Sequence, residues 1–467
     1  MTSEFKNKKV LIMGLGNYHD GSGISAALFF ARAGAKVVVN DIKPASAFTA
    51  QIKRLKKFKN IRFLFGKHRM SDFQNADYII KNPAVPKNHP MLGAAQKSGV
   101  PIHNDWSIFL GLHDNMLVGV TGTRGKSTTT TLINELLKTT YRARLCGNIG
   151  VSPLAIAKSV KQNDIIVAEL SSWNLQQLDG VKKSPQVAVI TNLLADHLNM
   201  YKNTSEYYAD KENIFRYQAR DDVLVLNKES KELVKRSRKA KAHIFWFSKK
   251  PFNGEGVYVK HGAVYLDVPR PSILGRGTSK LEICRVSDIK LKGEHNLENA
   301  LAAVCVAMVM GIAPRVIKSA LKSFKGIPSR LELVREVSGV TYYNDTTATT
   351  PDATIAALRA LKSKNIILLA GGTDKKLNFK AWGKEIKRWR PRIIFFSGTA
   401  TDKMHKELKS YSHVLGTVRS MKEAMRLAKQ EAHKGDIVLL SPGAASFGIF
   451  KNEFDRGEQF CRLVKKK

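Results

Sequence analysis

Short runs of branched and aromatic residues alternate with helix-length segments along the whole chain. Representative runs are Val10–Met13, Lys36–Asn40, Met116–Val120, Val187–Thr191 and Ile366–Ala370. Strands that are separated by helices in this way form βαβ units, and their sheets are mostly parallel. Ligands of parallel sheets bind beyond the carboxyl ends of the strands. The residues directly after these runs are therefore the candidates for a functional site.

The chain is long enough for several domains. At roughly 150 residues per domain, its 467 residues predict about three. One break is predicted near 111–115, between a helical segment and a new strand, and another near 326–329, where glycine and proline follow a helical stretch. The predicted domains are therefore 1–112, 113–327 and 328–467. Alternating apolar residues between 251 and 282 predict a small antiparallel excursion in the middle domain.

The sequence is strongly basic, with 77 lysine and arginine residues against 39 acidic residues and a formal net charge of +38. Such an excess favours anionic partners, among them nucleotides, phospho-sugars and nucleic acids. Basic clusters at Gln51–Arg69 and Lys228–Lys250 are interpreted as solvated surface, because the nearby Phe63 and Phe65 have the spacing of a buried strand. No specific nucleic acid is expected, although a basic nucleic-acid-binding protein with a phosphate loop is the alternative from another class.

The sequence also indicates a compartment. The longest apolar stretch, Ala300–Ala313, has 14 residues, whereas a membrane span needs about 20. The stretch is therefore interpreted as a buried helix. The four cysteines form no CxxC pair. We expect a cytoplasmic protein without a membrane span or a disulfide framework.

The strongest local motif follows the run Met116–Val120 and precedes a helical segment, Thr129–Lys138. It reads Gly122-Thr123-Arg124-Gly125-Lys126-Ser127-Thr128. Backbone N–H groups and a helix N-terminus in this context bind phosphate, the lysine reaches the β- and γ-phosphates, and the serine can hold Mg²⁺. Val120 stands where the longer form of the motif has a glycine, so this is a shortened variant. The motif predicts ATP binding.

Three further polar residues follow the phosphate loop. Glu169 ends the run Asp164–Leu170, His197 lies beyond Val187–Thr191, and Lys211 precedes an Ile-Phe pair. Taken alone, a strand-end glutamate is usually a surface or capping residue, and a lone histidine is usually structural. In this lysine-rich chain, spacing alone does not single out Lys211.

The phosphate loop, Glu169, His197 and Lys211 occur in the order that is typical of one family. In this respect the sequence resembles the Mur ligase family, the ATP-dependent amide ligases of peptidoglycan synthesis. The resemblance covers nearly the whole chain. It continues through Gly293–Ala300, Ser329–Glu332, Asn344–Thr346, Ser441–Phe447 and Arg456-Gly457. It implies an α/β protein of three domains with mostly parallel sheets: an N-terminal Rossmann-like domain, a central P-loop ATPase-like domain and a C-terminal Rossmann-like domain.

The resemblance also implies the residues that handle ATP and magnesium. Lys126, His197 and Lys211 would be catalytic. The metal ligands would be Ser127, Glu169, His197 and Lys211, with Lys211 carbamylated by CO₂. Free lysine is a cation that repels a metal, whereas its carbamate offers an anionic oxygen. The implied ATP contacts are Gly122, Thr123, Arg124, Gly125, Lys126, Ser127, Thr128, Asn296, Asn299, Arg330 and Asp345.

Two further sites are implied. A UDP-sugar would be bound by Leu15, Asp41, Ile42, Lys43 and Asn148, and an amino acid by Thr347, Lys375, Ser446 and Phe447. The glycine pattern after Val10–Met13 lacks its third glycine, where His19 stands. Arg124 replaces the asparagine that is usual in the family's loop. Ser329 stands where a histidine often precedes Arg-Leu-Glu, and Thr347 where a lysine often contacts the amino-acid carboxylate.

The ending of the sequence is most similar to the family members that add D-glutamate to UDP-N-acetylmuramoyl-L-alanine. The resemblance therefore implies these two substrates, an acyl-phosphate intermediate, and release of ADP and phosphate. A monomer is expected. The alternative ligases are folylpolyglutamate synthase and poly-γ-glutamate synthase-like enzymes. They share the ATP loop but do not need the segment before residue 112.

Overall fold

The structure is a computed structural model that describes residues 3–466 except 17, 87, 177, 195–200, 202, 270–277, 292 and 376. It divides into two compact units. One contains Met1–Asp288 and Glu298–Leu321, and the other contains Ile289–Leu297 and Lys322–Lys467. The predicted boundaries at 112/113 and 327/328 stay predictions.

The first sheet is entirely parallel. Its strands are β1 (Lys9–Met13), β2 (Lys36–Asp41), β3 (Ile61–Phe65), β4 (Tyr78–Lys81) and β5 (Ile102–His103), in the order β3-β2-β1-β4-β5. Its helices are α1 (Ser22–Arg32), α2 (Thr49–Leu55), α3 (Met70–Gln74), α4 (Pro90–Lys97) and α5 (Asp105–Leu112). Val10 and Ile12 of β1 face one apolar cluster, and Leu11 and Met13 face another. Strands that are buried on both faces read as continuous apolar runs, which is why this sheet was visible in the sequence.

The second sheet belongs to the same compact unit. Its strands are β6 (Leu117–Thr121), β7 (Ala143–Gly147), β8 (Ile165–Glu169), β9 (Val187–Ile190), β10 (Val223–Asn227), β11 (His243–Ser248), β12 (Gly256–Lys260), β13 (Ala263–Pro269) and β14 (Thr278–Arg285). The order is β14-β13-β12-β11-β10-β9-β6-β8-β7. Its helices are α6 (Lys126–Leu137), α7 (Pro153–Ile156), α8 (Ser172–Leu175), α9 (Leu178–Val181), α10 (Thr204–Glu212) and α11 (Lys231–Ser237).

Helices α12 (Glu294–Val309) and α13 (Pro314–Ser323) follow β14. The predicted antiparallel excursion is confirmed, because β13 pairs antiparallel with both β12 and β14. The apolar stretch that begins at Ala300 is confirmed as a buried helix as far as Val309, where α12 ends, since α12 buries Asn299 to Ala307 continuously. In the described part of the chain, no helix is both long enough and apolar enough to span a bilayer.

The third sheet forms the centre of the second compact unit. Its strands are β15 (Glu332–Val337), β16 (Val340–Asn344), β17 (Ile366–Gly371), β18 (Arg392–Phe396), β19 (Val414–Val418) and β20 (Ile437–Leu440), in the order β15-β16-β20-β17-β18-β19. Its helices are α14 (Pro351–Leu361), α15 (Lys380–Trp389), α16 (Thr399–Glu407), α17 (Met421–Glu431) and α18 (Glu453–Lys465). Only β15 runs antiparallel to its neighbour among these described strands.

The α/β fold with mostly parallel sheets is as expected from the sequence. Strands β5, β7, β11, β15 and β19 were not among the predicted runs. Strand β15 has alternating polar residues and is largely exposed, and β19 is only half-buried. Phe63 and Phe65 are half-buried and pack against the first core, which supports the buried-strand interpretation of that basic cluster.

Candidate active site

The phosphate loop lies at the carboxyl end of β6 and leads directly into α6. Gly122 has φ +143° and Gly125, the N-cap of α6, has φ +83°. A Cβ atom on Gly125 would lie 2.1 Å from Asn299 Oδ1. Only glycine fits this conformation and this approach. The resulting turn directs the N-terminus of a 12-residue helix towards the loop, where backbone N–H groups attract anions.

The segment that follows β9 forms hydrogen bonds to the phosphate loop. Arg124 N–H donates to Asn192 Oδ1 at 2.9 Å, and Thr191 Oγ1 donates to the Arg124 carbonyl at 2.6 Å. Thr123 Oγ1 donates to the Leu194 carbonyl at 3.1 Å. Sequence reasoning missed Thr191 and Asn192, although Thr191 ends a predicted strand and Asn192 directly follows it. Their contacts fix the loop backbone before any phosphate binds.

The lysine of the loop is also positioned. Lys126 Nζ donates to the Thr123 carbonyl at 3.1 Å, so its ammonium group folds back over the loop. Arg124, the unusual residue of this loop, is exposed and adds positive charge at the surface. A helix N-terminus and two cations at one place fit a nucleotide phosphate chain.

Glu169 ends β8 next to the phosphate loop, since Val120 is its register partner in β6. Its side chain is 2% exposed. One oxygen, Oε1, accepts from Asn148 Nδ2 at 3.1 Å. The other, Oε2, is buried without a hydrogen-bond partner among the described residues. Buried polar atoms normally have partners. A carboxylate oxygen left in this state fits a hard cation such as Mg²⁺.

Lys211 reaches the same loop from α10. Its Nζ donates to the Gly122 carbonyl at 2.9 Å and lies 4.7 Å from the centre of the Tyr207 ring. The side chain is 1% exposed. His197, the remaining predicted metal ligand, lies outside the described residues. Among the described residues, no cluster of three or more His, Cys, Asp or Glu side chains forms a metal site.

Asn299 completes this region of the first unit. It lies on α12, is buried, and accepts from Thr129 Oγ1 at 3.3 Å through Oδ1. The structure therefore brings Asn299 to the start of α6 across a long stretch of sequence. Asn296, predicted for the same ligand, is half-buried at the start of α12.

The predicted UDP-sugar residues of the first sheet also converge. Asp41, at the end of β2, accepts from the N–H groups of Leu15 at 2.9 Å and Lys43 at 3.0 Å. Ile42 is 60% exposed. A Cβ atom on Gly23 would lie 2.2 Å from the Gly14 carbonyl. Gly23 therefore allows α1 to pack closely against the glycine-rich loop, which is the role of the third glycine in the usual pattern.

Asn148 is the predicted UDP-sugar residue of the second sheet. Besides the side-chain contact, its N–H donates to the Glu169 carbonyl at 2.9 Å. The loop that carries it pairs with the glycine-rich loop of the first sheet, because Asp20 and Val151 form a parallel bridge. Asn148 therefore lies on a loop that contacts both Glu169 and the glycine-rich loop of the first sheet.

In the second unit, Asp345 follows β16 and is fully enclosed. It accepts from Ser441 Oγ at 2.8 Å and from the Leu331 N–H at 3.0 Å. Burial raises its pKa to about 6, although the neighbouring Arg330 and Arg456 oppose that shift. Arg330 itself is exposed.

The predicted amino-acid residues lie on three loops of the second unit. Ser446 is 3% exposed, and its Oγ has no hydrogen-bond partner among the described residues. Phe447 is 56% exposed and Lys375 is exposed. Thr347 donates its hydroxyl proton to the Ser329 carbonyl at 2.9 Å. Ser329 and Thr347, two of the three positions that depart from the family pattern, are therefore in contact with each other.

Family models match each part of this architecture. The model described as "Mur ligase MurD-like, N-terminal domain" matches residues 8–104, "Mur ligase middle domain" matches 120–307, and "Mur ligase, glutamate ligase domain" matches 329–443. A protein of Roseiflexus sp. (strain RS-1), named UDP-N-acetylmuramoylalanine--D-glutamate ligase, is 37% identical over 99% of each chain.

The chain belongs to the Mur ligase family. Proteins of the same name from Koribacter versatilis and Borreliella burgdorferi are 34% and 36% identical. Each match covers 99% of this chain, and 98% and 99% of the respective relative.

Solved Mur ligase structures have the same fold. The UDP-N-acetylmuramate-alanine ligase of Thermotoga maritima superposes with a TM-score of 0.61 at 21% identity and covers 98% of this chain and 99% of its own. The MurF ligase of the same organism, solved in complex with ADP, gives a TM-score of 0.56 at 17% identity, over 98% of this chain and 97% of its own. At these identities the likeness shows the Mur ligase fold alone.

The N-terminal match also weighs against the alternative ligases. Folylpolyglutamate and poly-γ-glutamate synthase-like enzymes do not need the segment before residue 112, and a MurD-like model matches 8–104 of it. The basic nucleic-acid-binding alternative is likewise not favoured, because family models match each of the three predicted domains.

Proposed function

We propose that this Mur ligase joins D-glutamate to the alanyl carboxylate of UDP-N-acetylmuramoyl-L-alanine and hydrolyses ATP to ADP and phosphate. One observation carries the proposal. A phosphate loop lies beside a buried carboxylate oxygen that has no hydrogen-bond partner among the residues the structure describes, in a chain that matches relatives of that name over 99% of its length.

The reaction proceeds in two steps. The alanyl carboxylate takes the γ-phosphoryl group of ATP and becomes an acyl phosphate. The amine of D-glutamate then attacks the acyl carbon, and phosphate leaves as the amide forms and the amine loses a proton. Charge develops mainly on phosphoryl oxygens, so preorganised cations and N–H groups supply most of the stabilisation. Lys126 and the N-terminus of α6 are these groups here.

Magnesium would be held by Glu169 and Ser127, with His197 and Lys211 serving a second ion. Its chemistry is to neutralise phosphoryl charge and orient the phosphates. Glu169 supports this assignment, because one of its oxygens accepts a hydrogen bond from Asn148 and the other is buried without a partner within the described ranges. Asn296, Asn299, Arg330 and Asp345 would contact ATP.

Lys211 would act as a carbamate. In that reaction its neutral amine attacks CO₂, a C–N bond forms and one proton is released. A buried amine beside the phosphate loop supports the assignment, because the carbamate would place an anionic oxygen where a bare ammonium would repel the metal.

The substrates would bind at the two other clusters. Leu15, Asp41, Ile42, Lys43 and Asn148 would contact the UDP-sugar. The amino acid would meet Lys375, Ser446 and Phe447. Thr347 contributes less, since its hydroxyl proton is engaged by Ser329. We expect the enzyme to be monomeric and cytoplasmic.

Phosphate release from ATP tests this function. The enzyme is offered UDP-N-acetylmuramate with and without its alanyl group, together with D-glutamate, L-glutamate, D-aspartate or glycine. We expect turnover only with the alanyl form and D-glutamate. Equal turnover without the UDP-sugar would contradict a ligase, and preference for another amino acid would contradict the assigned substrate.

A further inference from the structure

Arg456 is a buried cation of the second unit to which the roles above assign nothing. It lies on α18, is 0% exposed and is among the largest fully buried side chains. Burial lowers its pKa to about 10, so the guanidinium stays charged at neutral pH. A charge removed from water costs free energy unless it is paired or hydrogen-bonded. The hydrogen bonds of the Arg456 guanidinium group must therefore compensate for its burial.

The guanidinium group of Arg456 joins two loops. Nε donates to Thr346 Oγ1 at 3.0 Å, and Nη2 donates to the Thr346 carbonyl at 2.8 Å. Nη1 donates to the Ala444 carbonyl at 3.4 Å. Thr346 follows β16 and Ala444 follows β20, two neighbouring parallel strands. Because the five N–H donors of arginine form a rigid fork, one side chain fixes the distance between both loops.

Both loops carry predicted substrate residues next to the bonded positions. Thr347 follows Thr346, and Ser446 lies two residues beyond Ala444. The Oγ of Ser446 is buried and has no hydrogen-bond partner in the described part of the chain. A shift of either loop would therefore move this group relative to Thr347.

Helix α18 also packs closely against the loop that carries Thr346. A Cβ atom on Gly457 would lie 2.6 Å from Thr346 Cγ2, and Thr346 Oγ1 donates to the Glu453 carbonyl at 2.7 Å. The Arg-Gly pair thus brings the first turn of α18 onto the Thr346 loop, and the arginine reaches from there to the Ala444 loop.

We propose that Arg456 is a positioning residue for the amino-acid substrate: it holds the loops of Thr347 and Ser446 at the spacing that binds D-glutamate. This inference rests on the proposed function. A residue that only stabilised the fold would lower the melting temperature without acting on one substrate alone, whereas a positioning residue acts on the KM for the amino acid.

The test is steady-state kinetics of Arg456→Lys, with Arg462→Lys on the exposed face of α18 as the matched control. Lysine keeps the charge but cannot reproduce the fork. Since about 1.4 kcal/mol corresponds to a tenfold change, loss of one charge-assisted bond should raise the KM for D-glutamate about tenfold, with the KM for ATP within about twofold. Equal rises in both KM values, or no change in the KM for D-glutamate, would overturn the inference.

Chemical rescue and hydrogen exchange extend the test. Guanidinium ion added to Arg456→Gly should lower the KM for D-glutamate and leave Arg462→Gly unaffected. If neither Arg456 variant folds, amide exchange of the wild type decides. Saturating D-glutamate should slow exchange in both loops, at 345–348 and 443–447, and protection of one loop alone would overturn the inference. A wild type that ignores D-glutamate altogether would refute the proposed function instead.

Discussion

The phosphate loop of the first unit and the strand-end cluster of the second unit both lie at the carboxyl ends of parallel strands, yet they are built differently. The phosphate loop uses consecutive residues, two glycines with positive φ and the N-terminus of α6. The second cluster uses side chains that are far apart in sequence, such as Asp345, Ser441 and Arg456. Local backbone geometry specifies the first, and packing among distant segments specifies the second.

This difference determines how each region should respond to substitution. Removing one charge from the phosphate loop should stop the chemistry and leave the fold intact, because the backbone remains. In the second cluster, one substitution should act on stability, pH dependence or a single KM.

The largest effect is expected at Lys126. Lys126→Ala should lower kcat by about 1,000-fold, the upper end of the cost of losing one preorganised charge donor. The circular dichroism spectrum should stay unchanged. Lys138→Ala, at the exposed far end of the same helix, is the control. A near-normal kcat in Lys126→Ala would show that this loop is not the ATP site.

Lys211 should be nearly as sensitive. Lys211→Ala should lower kcat at least about 100-fold, because loss of even an outer-shell partner of a metal ligand costs up to that factor. Acetate should partly restore activity by supplying the missing carboxylate oxygens. Active wild-type enzyme whose Lys211 has an unmodified mass, under conditions that preserve carbamates, would refute the carbamate.

In the second cluster, Asp345 should control a pH dependence of stability. Its pKa is raised from 3.8 to about 6 by burial, so the folded state binds an extra proton between these values. Stability is therefore greater at low pH and is lost as the pH rises through about 6, by about 2–3 kcal/mol. Asp345→Asn should abolish this loss in denaturant titrations. If the stability of Asp345→Asn depends on pH in the same way as that of the wild type and of the exposed control Asp402→Asn, this assignment is wrong.

The smallest effect is expected at Lys375. Lys375→Ala should raise the KM for D-glutamate about tenfold and leave the KM for ATP unchanged, since a charge-assisted bond is roughly twice as strong as a neutral one. Thr347→Lys should, if anything, tighten D-glutamate binding. An unchanged KM for D-glutamate in Lys375→Ala would mean that this lysine does not contact the amino acid.

The contrast also explains what the sequence could predict. The phosphate loop and the apolar strands were visible because each depends on neighbouring residues, whereas a role for Glu169 was implied only by the family resemblance. Thr191 and Asn192, which hold the loop, lie at the end of a predicted strand and directly after it but carried no motif of their own. Arg456 could not be assigned a contact, since its partners Thr346 and Ala444 meet it only after three separate segments fold together. Strand β15 escaped prediction because its polar, exposed pattern gives little apolar signal.

Transfer of ¹⁸O from the alanyl carboxylate to phosphate tests the proposed acyl-phosphate intermediate most directly. UDP-N-acetylmuramoyl-L-alanine labelled with ¹⁸O in both oxygens of the alanyl carboxylate is converted with unlabelled ATP and D-glutamate. An acyl phosphate requires that one labelled oxygen leaves with phosphate while the other stays in the new amide. We predict phosphate carrying a single ¹⁸O atom, in amounts equal to the amide product. Phosphate without label, released at the same rate as product, would contradict the proposed ligase mechanism.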